Sequence, residues 1–169
     1  MTSSAFDDLV GSANAALLVV TTAVDDVKAG CLVGYHNQSS MSPRQYSFWL
    51  SKANHTYRVG LLATHFVVHF LTEHDYDLAE RFAATSGQNT DKFADLSVET
   101  DEFGLPLITA LPNRMVVERL TMLDDGGDHV CVTAGVLTAE SDGHFTALRT
   151  ADVGKLKPAH SAVERIIEP

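Results

Sequence analysis

The run Asp124-Asp-Gly-Gly-Asp-His129 stands between two apolar, β-branched stretches, Met115–Leu123 and Val130–Leu137, and it restricts what the rest of the chain can build. Glycine reaches positive φ without steric penalty and aspartate tolerates turns, so this cluster reverses the chain within a few residues. β-Branched residues on both flanks favour strands. The unit reads as a β-hairpin and commits the sheet around it to antiparallel pairing. One imidazole, His129, sits at the mouth of its second strand, where it can donate, accept or carry charge near neutral pH. A solvated turn with an incidental histidine is the other reading of these residues alone.

Upstream, short apolar runs alternate with turn residues. Asn14–Thr22 is continuously apolar and too short for a stable amphipathic helix, so it reads as a buried strand, and Lys28–Tyr35 follows the Asp25-Asp26 turn as a second. His36–Pro43 reads as a polar loop rich in backbone and hydroxyl donors, and Tyr46–Ser51 resumes a strand. Asn54 is an N-cap candidate for a short helix through Thr64, because its side chain can accept from an orphan backbone N–H. Phe66–Leu71 returns to strand, Asp77–Ala84 reads as a helix stopped by Ser86-Gly87, and the span from Gln88 to Pro112 reads as irregular. The tail from Thr150 to Pro169 is mixed and partly helical in pattern. Many strands with short connections and few small helices predict a mainly β fold closing as an antiparallel barrel. The strand–helix alternation of a parallel sheet is absent.

With 169 residues, 45% hydrophobic and 20% charged, the chain fits one globular domain over 1–169. A net charge of −10 with no basic run argues against nucleic acid and against an anionic membrane surface as partners. Cys31 and Cys131 both fall in apolar strand-like runs without Cys-x-x-Cys spacing, which predicts buried free thiols, with a bridge between them as the alternative. The start, Met-Thr-Ser-Ser-Ala-Phe-Asp-Asp, lacks the basic and apolar regions of a secretory leader, so a soluble cytoplasmic protein is expected.

Eight histidines raise the question of a metal, but the stretch around His69 reads as strand, which separates its side chain from that of His65, and no His-Glu-x-x-His or Cys/His ligand set appears; no metal site is expected. A nucleophile elbow, a Walker loop and a Rossmann fingerprint are all missing. Donors concentrate instead at Gln38-Ser39-Ser40 and at Ser51-Lys52-Ala53-Asn54-His55-Thr56, the latter at a helix start where unpaired N–H groups and Lys52 suit a phosphate. Taken alone, the same residues are more often a plain cap and a surface lysine.

Landmarks in order along the chain carry a resemblance. They are Val19-Val20-Thr21-Thr22, Ala29-Gly30, Ser40-x-x-Pro43, Ser51-Lys52-x-Asn54-x-Thr56, Phe66–Leu71, Leu78–Ala83, Asp91-Lys92-Phe93, Gly104–Leu107 and Gly127-Asp128-His129. From about residue 6 to residue 140 the chain resembles the flavin reductase-like family, the FMN-binding split barrels that serve two-component flavin monooxygenases, with 141–169 divergent. The resemblance implies a six-stranded antiparallel split β-barrel, a homodimer, and FMN, or alternatively FAD, held at the subunit interface. It implies flavin contacts from Gln38, Ser39 and Ser40, a phosphate end formed by Ser51, Lys52, Asn54 and Thr56, and a seat for NADH or NADPH at His129, oriented by Asp128. The implied activity is NAD(P)H-dependent reduction of flavin for a partner monooxygenase. A flavoprotein that keeps its FMN, or a barrel binding haem or a deazaflavin with His36, His69 or His129 in play, are the alternatives. Departures from the family pattern fall at Leu32, Gly34, Tyr35, Pro43-Arg44, His69 and the closing segment Ala147–Val153.

Overall fold

Strand β1 (Leu18–Val24) shows why the first apolar run does not alternate: both of its faces are buried. Leu18 and Val20 join Cys31, Val33, Phe48, Leu50, Ala63, Phe66, Val68, Val117, Val132 and Ala134 in an inner core. Val19, with Leu17, joins Ala79, Phe82, Phe93, Ile108, Leu111, Leu148 and Val153 in a second core on the outer side of the sheet. A strand between two apolar layers has no polar face, and its sequence reads as a continuous run.

The computed structural model describes residues 4–84 and 90–154, so the Ser86-Gly87 stop and the tail beyond residue 154 lie outside the described residues. In chain order the elements are α1 (Ala5–Ala13), β1, β2 (Val27–Val33), β3 (His36–Met41), β4 (Arg44–Ser51), α2 (His55–Gly60), β5 (His65–Phe70), α3 (Tyr76–Ala84), β6 (Val98–Thr100), β7 (Pro106–Ile108), β8 (Arg114–Leu123) and β9 (His129–Glu140). A 3₁₀ turn at Thr150–Val153 follows.

One sheet runs in the order β2-β1-β5-β8-β9-β4-β3, and β6–β7 form a separate ribbon. Every pairing in the large sheet is antiparallel. Six of its strands supply the inner core, and β3 supplies none of it. The mainly β split barrel expected from the sequence is the fold present, with one strand more than expected. The end strands β2 and β3 are consecutive in the chain, joined only by Gly34-Tyr35, yet they do not pair. The sheet therefore curls until its two edges meet at that connection and stay apart beyond it. The barrel is split rather than closed, and the split opens beside Tyr35.

His36–Met41 is a strand and not the polar loop expected. An edge strand with no buried face shows no hydrophobic alternation, so its polar sequence hid it. The span 88–112 is not wholly irregular, since β6 and β7 pair within it. Helix α1 has no buried residue, and its start is fixed by a capping box in which Ser4 and Asp7 bond reciprocally. Asp25 and Asp26 join β1 to β2 with φ of 48° and 66°, the two left-handed positions that a two-residue hairpin of matching twist requires.

Outside the sheet, α3 packs its Ala79 and Phe82 into the outer core. A Cβ on Gly30 would lie 2.8 Å from the Phe82 ring, so only glycine lets the helix approach β2 this closely. Lys92 ties the same contact, its buried Nζ donating to the Gly30 carbonyl at 3.1 Å and to the Phe82 carbonyl at 2.9 Å. Burial lowers the Lys92 pKa, because the charged form loses water there. No helix among the described residues is long and apolar enough to cross a membrane.

Candidate functional site

At the open end of the barrel, β4 runs out at Ser51 directly opposite the first residue of β9, His129. That register brings together two segments that lie far apart in sequence. The Lys52 N–H donates to the Asp128 carbonyl at 3.0 Å, and Lys52 Nζ pairs with the Asp124 carboxylate at 2.8 Å. Asp124 also accepts from the Gly126 N–H at 2.9 Å, which holds its carboxylate in the turn. Gly126 takes a φ of 93°, as a tight reversal at that position requires. The Lys52 hydrogen bond, then the Gly126 N–H, lowers the Asp124 pKa, and the same bond raises that of Lys52.

His129 Nδ1 lies 2.7 Å from Asp128 Oδ1. An ionised carboxylate only accepts, so Nδ1 carries the proton and Nε2 makes no hydrogen bond among the described residues. The bond to His129 lowers the Asp128 pKa. Tyr35, 57% exposed, covers one side of the imidazole with ring centroids 4.9 Å apart and planes tilted by 55°. The sequence marked Tyr35 only as a departure from a pattern. Its position between the two sheet edges makes it part of the rim of the split, and the signal was a glycine–aromatic pair between two strands.

Along the other edge, β3 offers backbone groups that no strand among the described residues covers, with a bulge between Gln38 and Ser40. Gln38 and Ser39 are exposed, and Gln38 Nε2 donates to the Ser40 carbonyl at 3.2 Å. Near neutrality the rim thus offers amide, hydroxyl and edge-strand donors, one ammonium and one imidazole. That donor set suits a flat heterocycle with polar edges and an anionic tail.

Two expected site residues are placed differently. Asn54 occupies the N-cap position of α2, but its side chain makes no cap bond, and the helix ends at Gly60 rather than Thr64. Thr56 is 1% exposed. Burial raises the pKa of the Cys31 thiol on β2, and Lys92 first, then Thr56 and Asn54, soften that rise. Thr56 therefore backs the site from inside and does not present its hydroxyl to a phosphate at the surface. Cap chemistry is local and visible in sequence, whereas the competing contact reaches back to β2. Cys131, also expected to be buried, is only half-buried, because β9 turns it away from the inner core.

The other histidines singled out are committed. His69 is fully buried, with Nδ1 3.2 Å from the Val19 carbonyl and Nε2 accepting from the Ile108 N–H at 3.2 Å. Desolvation brings its pKa down to about 3. His36 Nε2 lies 2.7 Å from the Ala16 carbonyl and Nδ1 2.7 Å from the Tyr46 hydroxyl, so the ring donates to Ala16 and accepts from Tyr46. Burial lowers the His36 pKa and pushes that of Tyr46 up to about 12. Neither ring has a nitrogen left for iron, which removes His36 and His69 from the haem alternative.

A family model described as a flavin reductase-like domain matches residues 10–151. The reductase subunit HsaB of a flavin-dependent monooxygenase from Mycobacterium tuberculosis is 28% identical over 131 residues, spanning 78% of this chain and 68% of its own length. The FMN reductase (NADH) SmoA from Agrobacterium fabrum is 27% identical over 137 residues, covering 81% of this chain and 76% of its own. Among solved structures, component B of nitrilotriacetate monooxygenase from Mycobacterium thermoresistibile superimposes with a TM-score of 0.72 at 21% identity. That match covers 82% of this chain and 76% of the other.

Proposed function

The chain belongs to the flavin reductase-like family, and from that premise we propose that it is an NAD(P)H-dependent flavin reductase whose site is the split beside Tyr35 and His129. FMN is the preferred flavin, with FAD as a second substrate. The observation that carries the reading is the β4–β9 register, which sets Ser51 and Lys52 against Asp128 and His129 at one rim. Bound there, flavin supplies the two-electron acceptor that the side chains of this site lack.

The chain's own part is positional. Gln38, Ser39 and Ser40 on the free edge of β3 hold the ring system and ribityl chain through backbone and hydroxyl contacts. Lys52, with Ser51 beside it, meets the phosphate, while Asn54 and Thr56 support that end from behind. Asp128 fixes the His129 tautomer, leaving Nε2 to accept a hydrogen bond from the nicotinamide carboxamide. Tyr35 keeps the imidazole in place and shields one side of it from water.

The working form is a homodimer. Leu120, Leu123 and Leu137 on β8 and β9, and Phe6 and Leu9 on α1, are large apolar side chains left exposed. Their burial against a second copy accounts for their exposure in one chain. The reduced flavin leaves for a partner monooxygenase, and the protein works in the cytoplasm. Oxidation of NADH and NADPH, followed with and without added FMN or FAD, tests the activity. Stimulation by a flavin is expected; no stimulation by either flavin overturns it.

A further inference from the structure

The lysine at the phosphate end is already paired. Lys52 Nζ meets Asp124 at 2.8 Å, and neither group is buried, with 31% and 48% of the side chains exposed. The pair is nevertheless held from both sides. The Lys52 backbone bonds to Asp128, and the Asp124 carboxylate is anchored by the Gly126 N–H in its own turn. Asp125 and Asp128 lie within electrostatic reach of the ammonium, and Asp128 is committed to His129.

We propose that Asp124 is a specificity-determining residue that competes with the flavin phosphate for Lys52 and so keeps phosphorylated flavins exchangeable. The inference rests on the flavin reading above and goes beyond it. An incoming phosphate must displace the carboxylate or share the ammonium with it. The gain is then the difference between two charge pairs and not the whole of one. Two consequences follow from this exchange. FMN and riboflavin, which differ only in the phosphate, bind with affinities within a few-fold of each other. Removing the competitor strengthens FMN selectively.

The test measures binding of FMN and of riboflavin by titration calorimetry to the full chain and to its variants, with circular dichroism confirming the fold of each. Asp124→Asn keeps an oxygen for the Gly126 N–H while removing the charge. It is expected to tighten FMN about five- to tenfold and to leave riboflavin within about twofold, with the gain shrinking as salt rises. Asp125→Asn makes the same change in net charge without breaking the pair, and is expected to tighten FMN by less than about twofold. In a Lys52→Met background, Asp124→Asn is expected to have no FMN-selective effect. The inference is overturned if Asp124→Asn favours FMN no more than riboflavin, if Asp125→Asn matches it, or if the effect survives Lys52→Met. Absence of binding by both flavins to the parent chain removes the flavin reading itself, and this inference with it. Flavin binding without the Asp124 effect removes the inference alone.

Discussion

Two histidines divide this molecule into a wall and a mouth. His69 lies on β5 between the sheet and the β7 segment, with no exposed surface and both ring nitrogens spoken for. His129 lies at the start of β9 with one nitrogen held by Asp128, and its side chain is 27% exposed. The residue type is the same, but a histidine can serve a ligand only where its fold leaves a nitrogen unspent. The wall uses polar groups to finish its own hydrogen bonding, since a buried group left unpaired costs stability. The mouth gathers polar groups near the surface, where His129 Nε2 makes no hydrogen bond among the described residues. Ser51, Lys52 and His129 meet because β4 ends where β9 begins, and none of them belongs to the inner core.

Substitutions at the two places should therefore separate stability from turnover. The largest effect belongs to the wall: Phe66→Ala, at a fully buried ring packed edge-on to Phe48, is expected to lower unfolding free energy by about 3–5 kcal/mol. Denaturant melts measure it, and a loss below about 1 kcal/mol would mean that the inner core is not packed as described. At the mouth, His129→Ala is expected to reduce kcat/KM for NADH-driven FMN reduction roughly 30-fold while moving stability by less than about 0.5 kcal/mol. A fall in both together would make His129 a structural residue and erase the distinction.

Acid sharpens the contrast next. The folded chain resists protonating His69 down to about 3, whereas the unfolded chain takes up that proton near the ordinary value of 6.5. The unfolded state thus binds the extra proton, so this contribution is complete above pH 6.5 and is lost as the pH falls from there toward 3. The limiting slope is about 1.4 kcal/mol per pH unit. His36, whose pKa burial also lowers, acts in the same direction. His69→Asn is expected to flatten the pH dependence of stability between pH 6 and 4, read from denaturant midpoints across that range. An unchanged slope would show that other groups govern acid unfolding.

The smallest expected effect lies away from both regions. Asp26, at a φ of 66°, carries a side chain where glycine would be unstrained. Asp26→Gly is expected to change stability by no more than about 0.5–1 kcal/mol, with relief of strain opposed by the greater freedom of the unfolded chain. Activity should stay as it was.

Sequence patterns reached the wall more readily than the mouth. β1 was legible because burial on both faces leaves a mark in every residue from Leu17 to Val20. The β8–β9 hairpin was legible because its turn needs glycine and aspartate. β3 was missed because nothing apolar marks an edge strand with no buried face, and α1 because it buries no residue, although the Ser4–Asp7 capping box was present in the sequence. Ser51, Lys52, Asp128 and His129 could be named as candidates, but not their meeting at one rim. Lys52 and Asp124 lie 72 positions apart, and only the β4–β9 register brings the turn to the strand end. Thr56 shows the reverse: its place at a helix start suggested a phosphate contact, while its side chain lies buried near Cys31 of β2.

The central claim is that flavin enters at the split and not along the wall. Hydrogen–deuterium exchange with and without FMN tests it most directly. Slowed exchange is expected in peptides covering residues 35–41, 51–56 and 124–129, with β1 and β5 unchanged. Protection confined to β1, β5 or α3, with the mouth exchanging as fast as before, would contradict it.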